Sequence, residues 1–163
     1  MKLFLLCLGV LLFTRCSAPL THSKETLRAI PIGSSKIIAD SPRSAEEVYS
    51  SLAKSFAREG CPVRSEKESM QIICDGKSLE GGTTIKALAF VEQTETGSRT
   101  TMSGEWGLSS DGQLMMSAFG AHGVSAAEKL KWNGIQPTKP CVAFQYMVTL
   151  ANTVPEAKIS YKK

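Results

Sequence analysis

Histidine is nearly missing from this chain. Only His22 and His122 occur among 163 residues, and imidazole is the side chain most suited to general base or metal ligand duty near neutral pH. The five cysteines include no Cys-x-x-Cys pair, so the spacing of zinc ribbons and of dithiol redox centres is lacking. The serine pairs Ser34-Ser35, Ser50-Ser51 and Ser109-Ser110 sit in no Gly-x-Ser-x-Gly elbow. Gly81-Gly82-Thr83-Thr84 leads into a strand, whereas a phosphate cradle runs from strand to helix and closes on Lys-Ser or Lys-Thr. These absences leave His122, in Gly120-Ala121-His122-Gly123, as the one catalytic candidate, and a turn residue is the simpler reading of it. No metal and no cofactor are expected.

What the chain does have begins at its start. Lys2 precedes the apolar run Leu3 to Phe13, which is too short to span a bilayer and fits the core of a signal peptide. Two processing routes are open. Cys16 stands where a bacterial lipoprotein carries its acylated cysteine, although Arg15 and Phe13 depart from that pattern. Ordinary cleavage before Ser17 would use Thr14 and Cys16 as the small residues. Either route gives a signal peptide over 1–16, a Ser/Thr/Pro-rich tether over 17–35 and one domain over 36–163. Loss of Lys2 and Arg15 takes the 19 basic residues to 17, against 15 acidic, too weak an excess to point to nucleic acid. The excess is uneven, because Lys129, Lys131, Lys139, Lys158, Lys162 and Lys163 face Glu156 alone. Such a run suits a solvated surface or an acidic or anionic-lipid partner.

Inside the domain a short strand is expected at Lys36–Ala39. Ser44 and Glu47 form a capping box, Val48, Leu52 and Phe56 recur every four residues, and Gly60 closes the helix. A hairpin follows. Centring its turn on Lys67-Glu68 pairs Ser65 with Met70, Val63 with Ile72 and Cys61 with Cys74, and gathers the apolar residues on one face. Export favours oxidation, so this register predicts a Cys61–Cys74 disulfide, with Cys141 left buried and unpaired.

Thr83 to Glu95 is β-rich and apolar on both faces in its middle; Arg99 to Leu108 and Gln113 to Phe119 continue an antiparallel meander. That arrangement would bring Glu92, Glu95 and Glu105 near one another on a solvent-facing surface. It would also cluster Met102, Trp106, Met115 and Met116 in the core. Ser125 and Glu128 form a second capping box, predicting a helix that ends at Asn133-Gly134. Residues 141–151 suit a helix or a strand, with the balance toward a helix opened by Thr138 and Pro140. A last strand is expected near Lys158–Tyr161.

An N-terminal signal with Cys16, a tether, a helix, the Glu59-Gly60-Cys61-Pro62-Val63 hairpin and a meander resemble the layout of small bacterial envelope lipoproteins. The resemblance carries no functional residues. The expected fold is α+β, an antiparallel meander sheet with helices packed on one face. The expected function is an exported, non-enzymatic binding module of the periplasm, cell envelope or medium, contacting a protein or cell-surface partner. It would bind no nucleic acid and would touch the membrane only through an anchor at Cys16. The alternatives are a small secreted hydrolase using His122 and a secreted inhibitor or effector.

Overall fold

The computed structural model describes residues 22–110, 114, 127–136 and 138–163. A short helix α1 (Lys24–Arg28) leads into β1 (Lys36–Ser41) and then α2 (Ala45–Arg58). Four strands follow, β2 (Val63–Glu66), β3 (Gln71–Leu79), β4 (Thr83–Thr94) and β5 (Gly97–Leu108). The two-residue β6 (Glu128–Lys129), the helix α3 (Lys139–Ala151) and β7 (Lys158–Lys162) complete the order. All pairings are antiparallel.

α2 forms because its ends and its face agree. The Ser44 hydroxyl accepts from the backbone N–H of Glu47 at 3.3 Å. The reciprocal arm of the box goes elsewhere, with the Glu47 carboxylate 3.5 Å from Arg43. Val48, Leu52 and Phe56 are fully buried, and Gly60 takes φ +73° just past the end. Burying such a stripe stabilises by about 1.5–3 kcal/mol per side chain. That gain, more than helix propensity, fixes α2 on the sheet.

β2 to β5 form a meander that contains the expected hairpin and the expected strands at 83–95 and 99–108. β1 then pairs with the far edge of β5, and β7 pairs with β1, giving the order β2-β3-β4-β5-β1-β7. β6 takes the rest of that same β5 edge, through Glu105 and Trp106. One face of the sheet carries Ile72, Cys74, Ile85, Ala87, Ala89, Val91, Met102, Ile37 and Ala39 into a core closed by α2 and α3. The fold is therefore α+β with helices on one face, as the sequence predicts.

Three expectations are corrected. The hairpin register lies two residues away from the one read from the sequence: Val63 pairs with Cys74 and Ser65 with Ile72, around a four-residue turn at 67–70. A shift of two keeps every side chain on its face, so the apolar set survived the error. Residues 128–133 are not helical. Lys129 and Lys131 are exposed while Leu130 and Trp132 are fully buried, a period of two that outweighs the capping cue. Backbone bonds agree, with the Leu130 N–H on the Gly104 carbonyl and the Trp132 N–H on the Ser34 carbonyl. Lastly, the part of the tether from His22 onward packs on the domain, with Leu27 and Ile30 buried and the Gly33 N–H 2.7 Å from the Trp132 carbonyl. The segment 141–151 is helical, and Thr138 is its N-cap with Pro140 in its first turn. The expected strand 113–119 lies outside the described residues apart from Leu114.

Candidate functional site

The face of the sheet turned away from α2 and α3 is built by alternation. Along β4, Lys86, Leu88, Phe90 and Glu92 point outward between buried neighbours. Leu88 lies between Ile73 and Ser103, and Phe90 between Gln71 and Thr101, so the strand register sets a short apolar strip of Ile73, Leu88 and Phe90 on β3 and β4, bordered by polar residues. Leu88 and Phe90 are each 39% exposed, unusual for large apolar side chains standing side by side on a sheet. Next to Leu88 is a cleft of about 340 Å³ lined by Ile73, Lys86, Leu88, Ser103, Glu105 and Lys129.

Charges flank the strip on both sides. Lys86 stands opposite Asp75 on β3 and Glu105 on β5, with its ammonium 3.5 Å from the Asp75 carboxylate. Beyond Phe90, Arg99 lies across from Asp40 and donates to both carboxylate oxygens, at 2.7 and 3.4 Å. The hydrogen bond to Asp40, aided by its charge, raises the Arg99 pKa above its usual value. Both pairs are solvent-exposed and contribute little to stability. Their effect is to frame an apolar strip with fixed charges of both signs.

The residues singled out in the sequence are mostly dispersed. His122, Cys16, Met115 and Met116 lie outside the described residues. Glu92 pairs with Arg99, whereas Glu105 pairs with Lys86 six residues farther along β5. At about 3.3 Å per residue that separation is roughly 20 Å, so the carboxylates do not meet. Met102 is buried, and Trp106 is partly buried against the same core. The Ser51-Leu52-Ala53-Lys54 spacing, which was not singled out from the sequence and which is known from serine–lysine hydrolases, falls within α2 with Lys54 exposed. His22 is bonded to α3, its Nε2 lying 2.9 Å from the Thr149 hydroxyl. Among the described residues, no three His, Cys, Asp or Glu side chains converge to hold a metal.

The predicted disulfide assembles. Cys61 and Cys74 are bonded with Cα atoms 5.3 Å apart. The Tyr146 hydroxyl of α3 donates to Cys61 Sγ at 3.1 Å. Burial, helped by the negative charge of Glu59, pushes the Tyr146 pKa up to about 12. Cys141 is buried, and its thiol donates to the Gly134 carbonyl at 3.1 Å.

Leu88 and Phe90 were not singled out from the sequence, although the signal is there. The Ala87-Leu88-Ala89-Phe90-Val91 run is apolar at every position, so whichever face it buries, the other keeps apolar side chains in water. No family pattern, characterised protein or solved structure matches the chain.

Proposed function

We propose that this chain is an exported binding module that contacts a protein partner through the open sheet face. The observation that carries this reading is the pair Leu88 and Phe90, each 39% exposed on the face turned away from α2 and α3. Export is supported by the apolar run Leu3 to Phe13 and by the disulfide, a bond that persists in oxidising compartments. Processing occurs near Cys16, with either acylation of that cysteine or release before Ser17. The partner presents an apolar ridge bordered by charges that complement Asp75, Lys86, Asp40 and Arg99.

The test is a photo-reactive amino acid at position 88, with crosslinking in the producing cells. A single crosslinked protein, lost when Phe90→Asp is added, is the expected result. Crosslinks that are absent, or unchanged by Phe90→Asp, overturn the reading. Recovery of Met1 on N-terminal sequencing of the envelope fraction would independently remove the export claim.

A further inference from the structure

A second surface, sharing no residue with the open sheet face, has the make-up of a membrane-docking site. α1 packs beside the backbone runs 30–35 and 132–135, which are tied together by bonds between Gly33 and Trp132 and between Trp132 and Ser34. Between them lies a cleft of about 480 Å³ lined by Leu27, Ile30, Ile32, Trp132 and Ile135, with Lys24 and Arg28 on its rim. Leu27, Ile30 and Trp132 form its buried floor. Ile32 and Ile135 stand up from it, 69% and 41% exposed.

Helical spacing explains the rim. Lys24, Leu27 and Arg28 are three and four apart and so share one side of α1. Glu25, the only acidic residue of α1, is not on that side of the cleft lining. Lys163 adds a third cation, because a methyl group placed on Gly33 would meet its Cε at 3.8 Å. Lys24, Arg28 and Lys163 have no ion-pair partner among the described residues. Two protruding isoleucines with Lys24 and Arg28 at the cleft edge, and Lys163 nearby at Gly33, form an amphiphilic patch, apolar at the centre and positive at the edge. Such a patch suits the boundary between headgroups and acyl chains.

The position of the patch in the chain fits the same partner. Only seven residues separate Cys16 from Lys24, a reach of at most about 28 Å fully extended. A chain held at the envelope by its start would therefore keep α1 close to the lipid surface.

We infer that the Ile32–Ile135 face docks on an anionic bilayer, with the two isoleucines inserted below the headgroups and Lys24, Arg28 and Lys163 against lipid phosphates. The biological setting rests on the export reading, but the docking chemistry is independent of it. Each basic residue at an anionic surface shifts binding by about fivefold. Replacing Lys24 and Arg28 together should therefore move the balance of docked to undocked molecules by roughly twenty- to thirtyfold.

Trp132 reports on this face directly. The full chain carrying Trp106→Phe, checked for folding by circular dichroism, is mixed with vesicles containing acyl-chain-brominated lipid. The vesicles are made of phosphatidylcholine alone or of phosphatidylcholine with phosphatidylglycerol. The expected result is quenching of Trp132 that requires phosphatidylglycerol, is reversed by high salt, and is lost in Ile32→Asp/Ile135→Asp and in Lys24→Gln/Arg28→Gln. The N-terminal run can hold every variant on the vesicle, so sedimentation alone is not the readout; the orientation of Trp132 is. Trp132 fluorescence unaffected by brominated lipid, as when the chain's own apolar run covers the cleft, overturns the proposal. So does quenching that is equal in neutral vesicles or in the Ile32→Asp/Ile135→Asp chain. Neither result bears on whether the chain is exported, which N-terminal sequencing decides.

Discussion

Cys61 is bonded to Cys74, yet the residue across the ladder from Cys74 is Val63. Cys61 sits two residues before the strand, just past the end of α2, where its N–H donates to the Phe56 carbonyl. The bond therefore joins the end of α2 to the sheet and does not staple two paired strands. Peptide mapping without reduction should return the Cys61–Cys74 link, with Cys141 free. Cys61→Ser/Cys74→Ser should cost about 2–3 kcal/mol on the chain-entropy account of a short closed loop. A linkage to Cys141 in the folded protein would contradict this packing.

Gly97 opens β5 at φ +145°, with Pro42 Cα 2.7 Å from where its Cβ would stand and the Ser41 carbonyl nearer still. Both the backbone angle and the space are closed to a side chain. Gly97→Ala should lose about 3 kcal/mol or more, in the range reserved for strained or overpacked sites. Urea denaturation measures it, and a loss below about 1 kcal/mol would mean that β1 and β5 separate more easily here than the register implies.

Thr83, Ser98 and Thr100 bury hydroxyls that have no hydrogen-bond partner among the described residues. An unmet buried hydroxyl costs about 1–3 kcal/mol. Thr100→Val keeps the β-branched shape and removes the hydroxyl, so it should raise stability by about 1 kcal/mol. An unchanged or lowered thermal midpoint would show that the hydroxyl is satisfied in solution.

Tyr146 should titrate late. Its pKa is pushed up to about 12, chiefly by burial, so the fold favours the neutral phenol. The stability this gives is complete below the ordinary tyrosine value near 10 and is lost as pH rises from there through about 12. Ultraviolet titration of tyrosinate should show a high-pH component that disappears in Tyr146→Phe. A single transition near the ordinary value in the wild type would exclude the buried position.

How much of this was legible depended on which signals were local. The α2 stripe, the meander and the last strand were readable because capping, period and turn chemistry coincide there. The hairpin slipped by two because alternation fixes which face a residue takes but not which partner it meets. Turn chemistry, which could have settled the partner, is weak at Lys67-Glu68. Residues 128–133 misled because a four-residue capping signature competed with the alternation Lys129-Leu130-Lys131-Trp132, and burial followed the alternation. The Ile32–Ile135 cleft left no local trace. Its walls lie about a hundred residues apart in sequence and meet through the pairing of Gly33 and Ser34 with Trp132.

The place of β1 between β5 and β7 has a kinetic consequence. β1 is the earliest strand among the described residues, but one neighbour begins at Gly97 and the other at Lys158. Contacts so distant in sequence form late, after the local hairpins of β2 to β5. Until the final strand arrives, Ile37, Ile38 and Ala39 lie on an unpaired edge able to template pairing with another chain. β7 brings Lys158 and Lys162 to the finished border, and charge at a sheet edge discourages such pairing. β7 thus protects β1, and a chain cut short before Lys158 should be lost to aggregation before it can fold.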